Sequence, residues 1–222
     1  VILRKLHVKL YHCNVETLTR YLRLGGCGPA VLRLVKPVVD TCRICRAWQR
    51  PAGRNIAVGS APAQSFNEIV EFDLLCWRKN AVAHLCDCCI RWSEAEIAPS
   101  RDTEDILSLI DRVWCSRWMP PKCLVSDQEG ALKSHAARTW AELNSIELKL
   151  KPPGGIGAGT VERQHELLRQ CSHRTSDQAN EEGLPLKEAD IVAKAVMAKN
   201  CLLNVHGYTP FQALTGRMPR LT

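Results

Sequence analysis

No stretch of this 222-residue chain is apolar for long enough to cross a bilayer. The opening Val1-Ile2-Leu3 meets Arg4 and Lys5 too early to form the apolar centre of a secretory leader. No internal repeat is visible, which removes solenoids and propellers. With no leader and 222 residues, the twelve cysteines do not read as the disulfide framework of a small secreted domain. The expectation is a reducing compartment, no membrane, and most cysteines packed as small apolar side chains. The Val at position 1 and the closing Pro-Arg-Leu-Thr suggest a fragment of something larger.

What is present is an ordinary folding composition, 45% hydrophobic and 24% charged, with net charge +7. The charge is uneven. Residues 1–60 hold eleven Lys/Arg and two Asp/Glu, a local balance of +9, and the remainder balances at −2. A basic segment attracts phosphate backbones. The same segment carries His7, His12, Cys42 and Cys45. Two imidazoles followed by a Cys-x2-Cys knuckle suit tetrahedral zinc, which can replace a core too small to fold unaided. The reading places both imidazoles on a turn of helix. Cys13 and Cys27 are alternative thiolates without a paired partner. Apolar helical patterns run through Val15, Leu18, Leu22 and through Val31, Leu34, Val35, Val38, and residues 51–65 read as a linker.

Strands are expected at 69–76, 81–89 and 92–97, a helix from an N-cap at Thr103, and a strand at 122–126. A helix at 132–143, a strand at 146–150, a Gly-rich loop, a helix from about 160 and a last helix at 186–204 complete the order. That order argues for an α/β layer with a mixed five-stranded sheet flanked by helices. The Cys86-Cys88-Cys89 cluster falls in a strand-like run and reads as core packing.

Three acids stand out. Asp73 sits inside an apolar strand, where a carboxylate needs a reason. Asp127 closes the fourth strand at the carboxyl end of the sheet, where α/β folds place their sites. Glu162 lies in the first turn after the Gly-rich loop. Glu71 shares a face with Asp73 by period two and competes with it, and Asp87 is a further strand acid. Converging carboxylates select Mg²⁺ or Mn²⁺ and suit phosphodiester chemistry on two ions.

These residues resemble an integrase of a retrovirus or long-terminal-repeat retrotransposon over nearly the whole chain. His7, His12, Cys42 and Cys45 are similar to the family's zinc domain. Asp73, Asp127 and Glu162 fall where its catalytic acids fall, with 34 residues between the last two. The stretch 90–97 resembles the turn between the second and third strands of the core. Asn204, the run Gly207 to Phe211, and Gly216-Arg217 resemble the segment closing many retrotransposon cores. The resemblance implies a ribonuclease-H-like core at 66–222, preceded by a small helical zinc-binding domain at 1–50, with the C-terminal DNA-binding domain absent. It implies 3′-end processing of element DNA and its joining to target DNA. One Zn²⁺ would be structural and two Mg²⁺ or Mn²⁺ catalytic.

The implied partners are double-stranded DNA at element ends and target, met by Arg163, Arg169 and Lys151, and further copies of the chain. The implied location is the nucleus after a cytoplasmic phase. Four positions depart from the family pattern or bear on it. Glu129 is inserted after Asp127-Gln128 and could compete as a ligand. His165 stands where Asn is common, and Glu166 where a basic residue is common, leaving Arg169 to supply that charge one turn on. One other reading stays open, a catalytically impaired or domesticated nucleic-acid-binding relative, while a cut-and-paste transposase is disfavoured by the upstream zinc segment and the closing segment.

Overall fold

The protein is described by a computed structural model covering residues 2–47, 63–127, 130–151 and 159–220, without the side chains of 159–162. Five short helices open the chain: α1 (Ile2–Lys9), α2 (Val15–Leu24), α3 (Pro29–Leu32), α4 (Val35–Asp40) and α5 (Arg43–Ala47). Strands β1 (Ile69–Trp77), β2 (Asn80–Asp87) and β3 (Ser93–Ile97) follow. Helix α6 (Thr103–Ile110) continues through a π-helical turn at Asp111–Cys115 into α7 (Ser116–Trp118). Then come β4 (Cys123–Ser126), α8 (Gly130–Lys133), α9 (His135–Leu143) and β5 (Glu147–Leu150). The chain closes with α10 (Gly159–Glu181), α11 (Glu188–Leu202) and α12 (Pro210–Thr215). By its contacts it forms two compact units, Asn55–Arg169 and Val1–Arg54 with Gln170–Thr222. The expected linker lies mostly outside the described residues.

The first unit is built on the expected five-stranded mixed sheet, in the order β3-β2-β1-β4-β5. β1, β2 and β3 run antiparallel, and β1, β4 and β5 run parallel. One face carries Val70, Phe72, Ala83, Leu85 and Leu124 into a core with Ile106, Leu109, Ile110, Leu132 and Ala137 from α6, α8 and α9. The π-helical turn has a packing consequence. It widens the helix by one residue per turn, so Val113 and Trp114 both stay in the core after Ile110. Asp102, rather than Thr103, occupies the N-cap position of α6, and the Thr103 hydroxyl donates instead to the Ala131 carbonyl. The expected helix at 132–143 is two helices, because Ser134 accepts from the Ala137 N–H and starts α9 anew.

β2 stops at Asp87, so Cys88 and Cys89 lie in the turn and only Cys86 is fully packed. Asp87 explains the stop. Its carboxylate is buried and accepts from the Asn67, Cys89 and Ile90 backbone N–H groups at 2.9, 3.0 and 2.7 Å. It is a structural acid that folds the turn leading to β3.

In the second unit, Leu10, Leu18, Leu22, Val35 and Val39 pack with Ala198, Cys201 and Leu202 of α11. Leu34 is 55% exposed while Val35 and Val39 are buried, one step off the expected stripe, because a new helix begins at Val35. The last carbonyls of α11 would be orphans of the helix end. The Tyr21 hydroxyl donates to the Cys201 carbonyl at 2.6 Å and the Thr17 hydroxyl to that of Leu202 at 3.5 Å.

The closing motif has a local reason at each position. The Asn204 side chain accepts from the Gly207 N–H at 2.9 Å, and Gly207 sits at φ 96, where a side chain is strained. Thr209 and Gln212 form a capping box, Pro210 takes the first turn of α12, and Gly216 ends it in the left-handed region.

Replacing Asp87 by Ala leaves three backbone donors without their acceptor. The expected cost is about 2–4 kcal/mol, read as a shift of the urea midpoint at unchanged slope. A shift below about 0.5 kcal/mol would mean that the turn holds without the carboxylate.

Candidate active site and metal centre

The sheet face opposite the core positions the acids. Val70 and Phe72 point into the core, so Glu71 and Asp73 project to the other side. The parallel register pairs Phe72 with Ser126 and Ser126 with Leu150. One step further brings Asp73, Asp127 and Lys151 to neighbouring positions on that same face. On the other flank His84 is paired with Asp73. Adjacent strands lie about 4.8 Å apart, so this row is one continuous polar strip.

Asp73 is held from two sides. Its Oδ1 accepts from the Leu74 N–H at 2.7 Å, and its Oδ2 lies 3.2 Å from His165 Nδ1 on α10. The His165 ring also lies 4.9 Å from that of His84, whose Nε2 meets the Ser93 hydroxyl at 2.9 Å. Lys151 sits among the acids, its Nζ 3.4 Å from Glu71 Oε1 and 3.8 Å from Asp127 Oδ1. Glu71 is buried, and burial pushes its carboxyl above the ordinary range while Lys151 pulls the other way. Its Oε2 has no hydrogen-bond partner among the described residues. Asp127 is the accessible member, its side chain 55% exposed.

The structure therefore brings Asp73 and Asp127 onto one face with Lys151. Glu162 is in the first turn of α10, three positions before His165, and its side chain is outside the described residues. Glu129 also lies outside them. Arg163 is exposed, and Arg169 pairs with Glu166 at 3.3 Å. Sequence reading did not assign His84 or the pairing of Lys151 with Glu71. The only signal for His84 was an imidazole inside an apolar strand. The carboxylate oxygens of the strip are the donor type a divalent cation takes, but Lys151 Nζ and the His165 imidazole now stand against them, and among the described residues these acids do not gather into a group able to hold an ion.

The second cluster is His7, His12, Cys42 and Cys45, all buried, with one ligand atom from each within 4.8 Å of the others. Among the described residues no other His/Cys/Asp/Glu group gathers in this way. His12 Nδ1 lies 3.3 Å from Cys42 Sγ and 3.9 Å from Cys45 Sγ, and His7 Nε2 lies 3.3 Å from Cys45 Sγ. Tetrahedral zinc with two nitrogens and two sulfurs needs ligand atoms about 3.3–3.8 Å apart, so these residues fit that ion.

Of the two imidazoles, only His7 is on a helix. Five residues on a helix would turn His12 about 140° away from His7. The chain instead leaves α1 at Lys9 and takes Tyr11 and His12 through left-handed conformations, φ 51 and 56. Each costs about 1–2 kcal/mol for a residue with a side chain. The return on that strain is the delivery of the second imidazole. Cys42 lies just before α5 and Cys45 within it, three residues on.

No family model matches the chain. It is 22% identical over 167 residues to the retrovirus-related Pol polyprotein from transposon 297 of Drosophila melanogaster, a match covering 74% of this chain and 16% of that polyprotein. The chain thus spans about a sixth of the relative's length. Among solved structures, a chain of the simian T-cell lymphotropic virus intasome, solved with PP2A regulatory subunit B56 gamma, superposes with a TM-score of 0.69 at 17% identity. That match covers 98% of this chain and 74% of the other. The catalytic core domain of BIV integrase gives 0.55 at 18% identity, covering 66% of this chain and 93% of that one. The fold is that of integrase cores, with a helical region bearing a candidate zinc site, and the sequence is retrotransposon-like. No helix among the described residues is long and apolar enough to cross a membrane.

Burial and the neighbouring Cys42 push the Cys45 thiol up to about 12, and burial with the neighbouring His12 and Arg174 lowers His7 to about 4. A ligating thiol must give up its proton. Near neutrality Cys45 still carries it and His7 is already neutral, so only the thiol side resists metal uptake. Zinc uptake is therefore expected to release protons, with apparent affinity climbing as pH rises over about pH 6 to 8. Titration in buffers of different ionisation enthalpy measures both. A flat affinity without proton release would argue against thiolate ligation.

Proposed function

We propose that this chain is an integrase-type polynucleotidyl transferase that processes the 3′ ends of element DNA and joins them to target DNA. The observation carrying this reading is the parallel register, which pairs Phe72 with Ser126 and so puts Asp73, midway along β1, next to Asp127, just past the carboxyl end of β4. The next helix opens with Glu162. Asp73, Asp127 and Glu162 would hold two Mg²⁺ or Mn²⁺ ions. Such ions, when bound, activate an attacking oxygen and neutralise a leaving one in an in-line displacement.

The chain's own residues prepare that site. The Leu74 N–H and His165 fix the Asp73 carboxylate in orientation, so little is lost to ordering when ligands arrive. Lys151 compensates the charge of Glu71 and Asp127. Exposed Arg163 offers a phosphate contact, with Arg169 and Lys151 as further candidates. His7, His12, Cys42 and Cys45 would hold one structural Zn²⁺. The partners proposed are double-stranded DNA and further copies of this chain, acting in the nucleus.

A second reading, an impaired or domesticated nucleic-acid-binding relative, draws on one observation. Arg169, the cation one turn after the departing position, is engaged by Glu166 at 3.3 Å. A strand-transfer assay with Mg²⁺ or Mn²⁺ separates the two. The parent is expected to join strands, and Asp127→Asn to lose at least about 100-fold in rate while still binding DNA. If the parent binds DNA and joins nothing, the enzyme reading fails and the binding reading stands.

A further inference from the structure

The zinc ligands do not stand alone within their unit. Helix α10 sends two side chains to His12 from residues 174 and 178, four apart and so on one helical face. Gln178 Oε1 lies 2.9 Å from His12 Nε2, across 166 residues of sequence. Arg174 Nη1 donates to the His12 carbonyl at 3.3 Å. The Gln178 amide has a defined direction, because its Nε2 donates to Glu182 Oε1 at 2.6 Å. Its carbonyl oxygen therefore faces the imidazole, and His12 Nε2 must be the protonated nitrogen. Nδ1 is left with its lone pair toward Cys42 and Cys45. That is the tautomer a metal needs. The Arg174 contact meanwhile pins the peptide of a residue held at φ 56.

We propose that Gln178, oriented by Glu182 and assisted by Arg174, is a positioning residue of the zinc centre. Metal binding by the N-terminal segment is then coupled to the order of α10 over 174–182. The proposal rests on the reading that His7, His12, Cys42 and Cys45 hold zinc, and it goes beyond that reading by making the centre depend on a helix remote in sequence. Partners of ligating imidazoles elsewhere carry about 10–100-fold of metal affinity, which sets the size expected here. Coupling is reciprocal, so zinc must stabilise the helix as much as the helix stabilises zinc binding.

The full chain is titrated with Zn²⁺ against a competing chelator, and with Co²⁺ followed by its visible absorption. Gln178→Met, which keeps bulk and loses the acceptor, is expected to weaken Zn²⁺ by about 10–100-fold and to shift the Co²⁺ bands. Gln178→Glu keeps the acceptor for His12 but loses the donor to Glu182, so it is combined with Glu182→Gln, which restores a donor there; the double variant is expected to stay near the parent. In the parent, hydrogen exchange over 174–182 is expected to slow when Zn²⁺ is added, a readout independent of any variant. If Gln178→Met lowers thermal stability equally with and without metal at unchanged affinity, its role is packing alone and the proposal is overturned. Exchange over 174–182 that ignores Zn²⁺ overturns it too. A parent that takes up neither metal removes the zinc reading itself, a different failure from a parent that binds Zn²⁺ regardless of residue 178.

Discussion

The alternation of a single strand governs the sheet unit of this protein. β1 must place Val70 and Phe72 in the core, which are 0% and 1% exposed, and that requirement turns Glu71 and Asp73 to the opposite face. A slip of one residue would drive both carboxylates into an apolar interior, at a cost beyond the stability of a domain this size. Packing thereby sets the geometry of the acids. The parallel pairing of β1 with β4, and of β4 with β5, extends the constraint to Asp127 and Lys151 without further information.

Such a row of charge creates its own difficulty, since neighbouring carboxylates repel. The chain meets it by setting donors and cations against the acids. Asp73 has the Leu74 N–H and His165; Glu71 and Asp127 share Lys151. The Glu71 pair is the most demanding, because Glu71 is nearly buried and Lys151 only 19% exposed. Taking away one partner of such a pair strands the other charge in low dielectric. The same reasoning makes Asp127, the solvent-facing acid, the member best placed to exchange its partner for an incoming ligand.

Much of this was legible in the sequence, and the limits have physical causes. β1, β2, α6 and α11 are strongly periodic or apolar, and each was found to within a few residues. The break at Ser134 and the restart at Val35 were missed because a side-chain cap and a short helix do not disturb an apolar count. The acids stood out because a carboxylate in an apolar strand is costly, and Asp87 is the case where the same cost bought a turn rather than a site. The four candidate zinc ligands were readable from residue type and spacing. The left-handed step that delivers His12 was not, since nothing at Tyr11-His12 marks a positive φ. Gln178 and Arg174 left no signal at all, because hydrogen bonds across 166 and 162 residues have no local signature.

The zinc segment also shows why sequence motifs and compact units need not share boundaries. A chain of about 50–60 residues buries too little surface to be more than marginally stable. A zinc ion held by His7, His12, Cys42 and Cys45 would close that end of the segment, but it would do nothing for the stripe of Leu18, Leu22, Val35 and Val39. Those side chains are covered by Ala198, Cys201 and Leu202, and Tyr21 and Thr17 in return satisfy the terminal carbonyls of the same helix. Each partner thus removes a cost the other cannot remove alone: exposed apolar surface on one side, orphaned carbonyls on the other. In this fold the segment bearing the candidate metal ligands belongs to one compact unit with Gln170–Thr222.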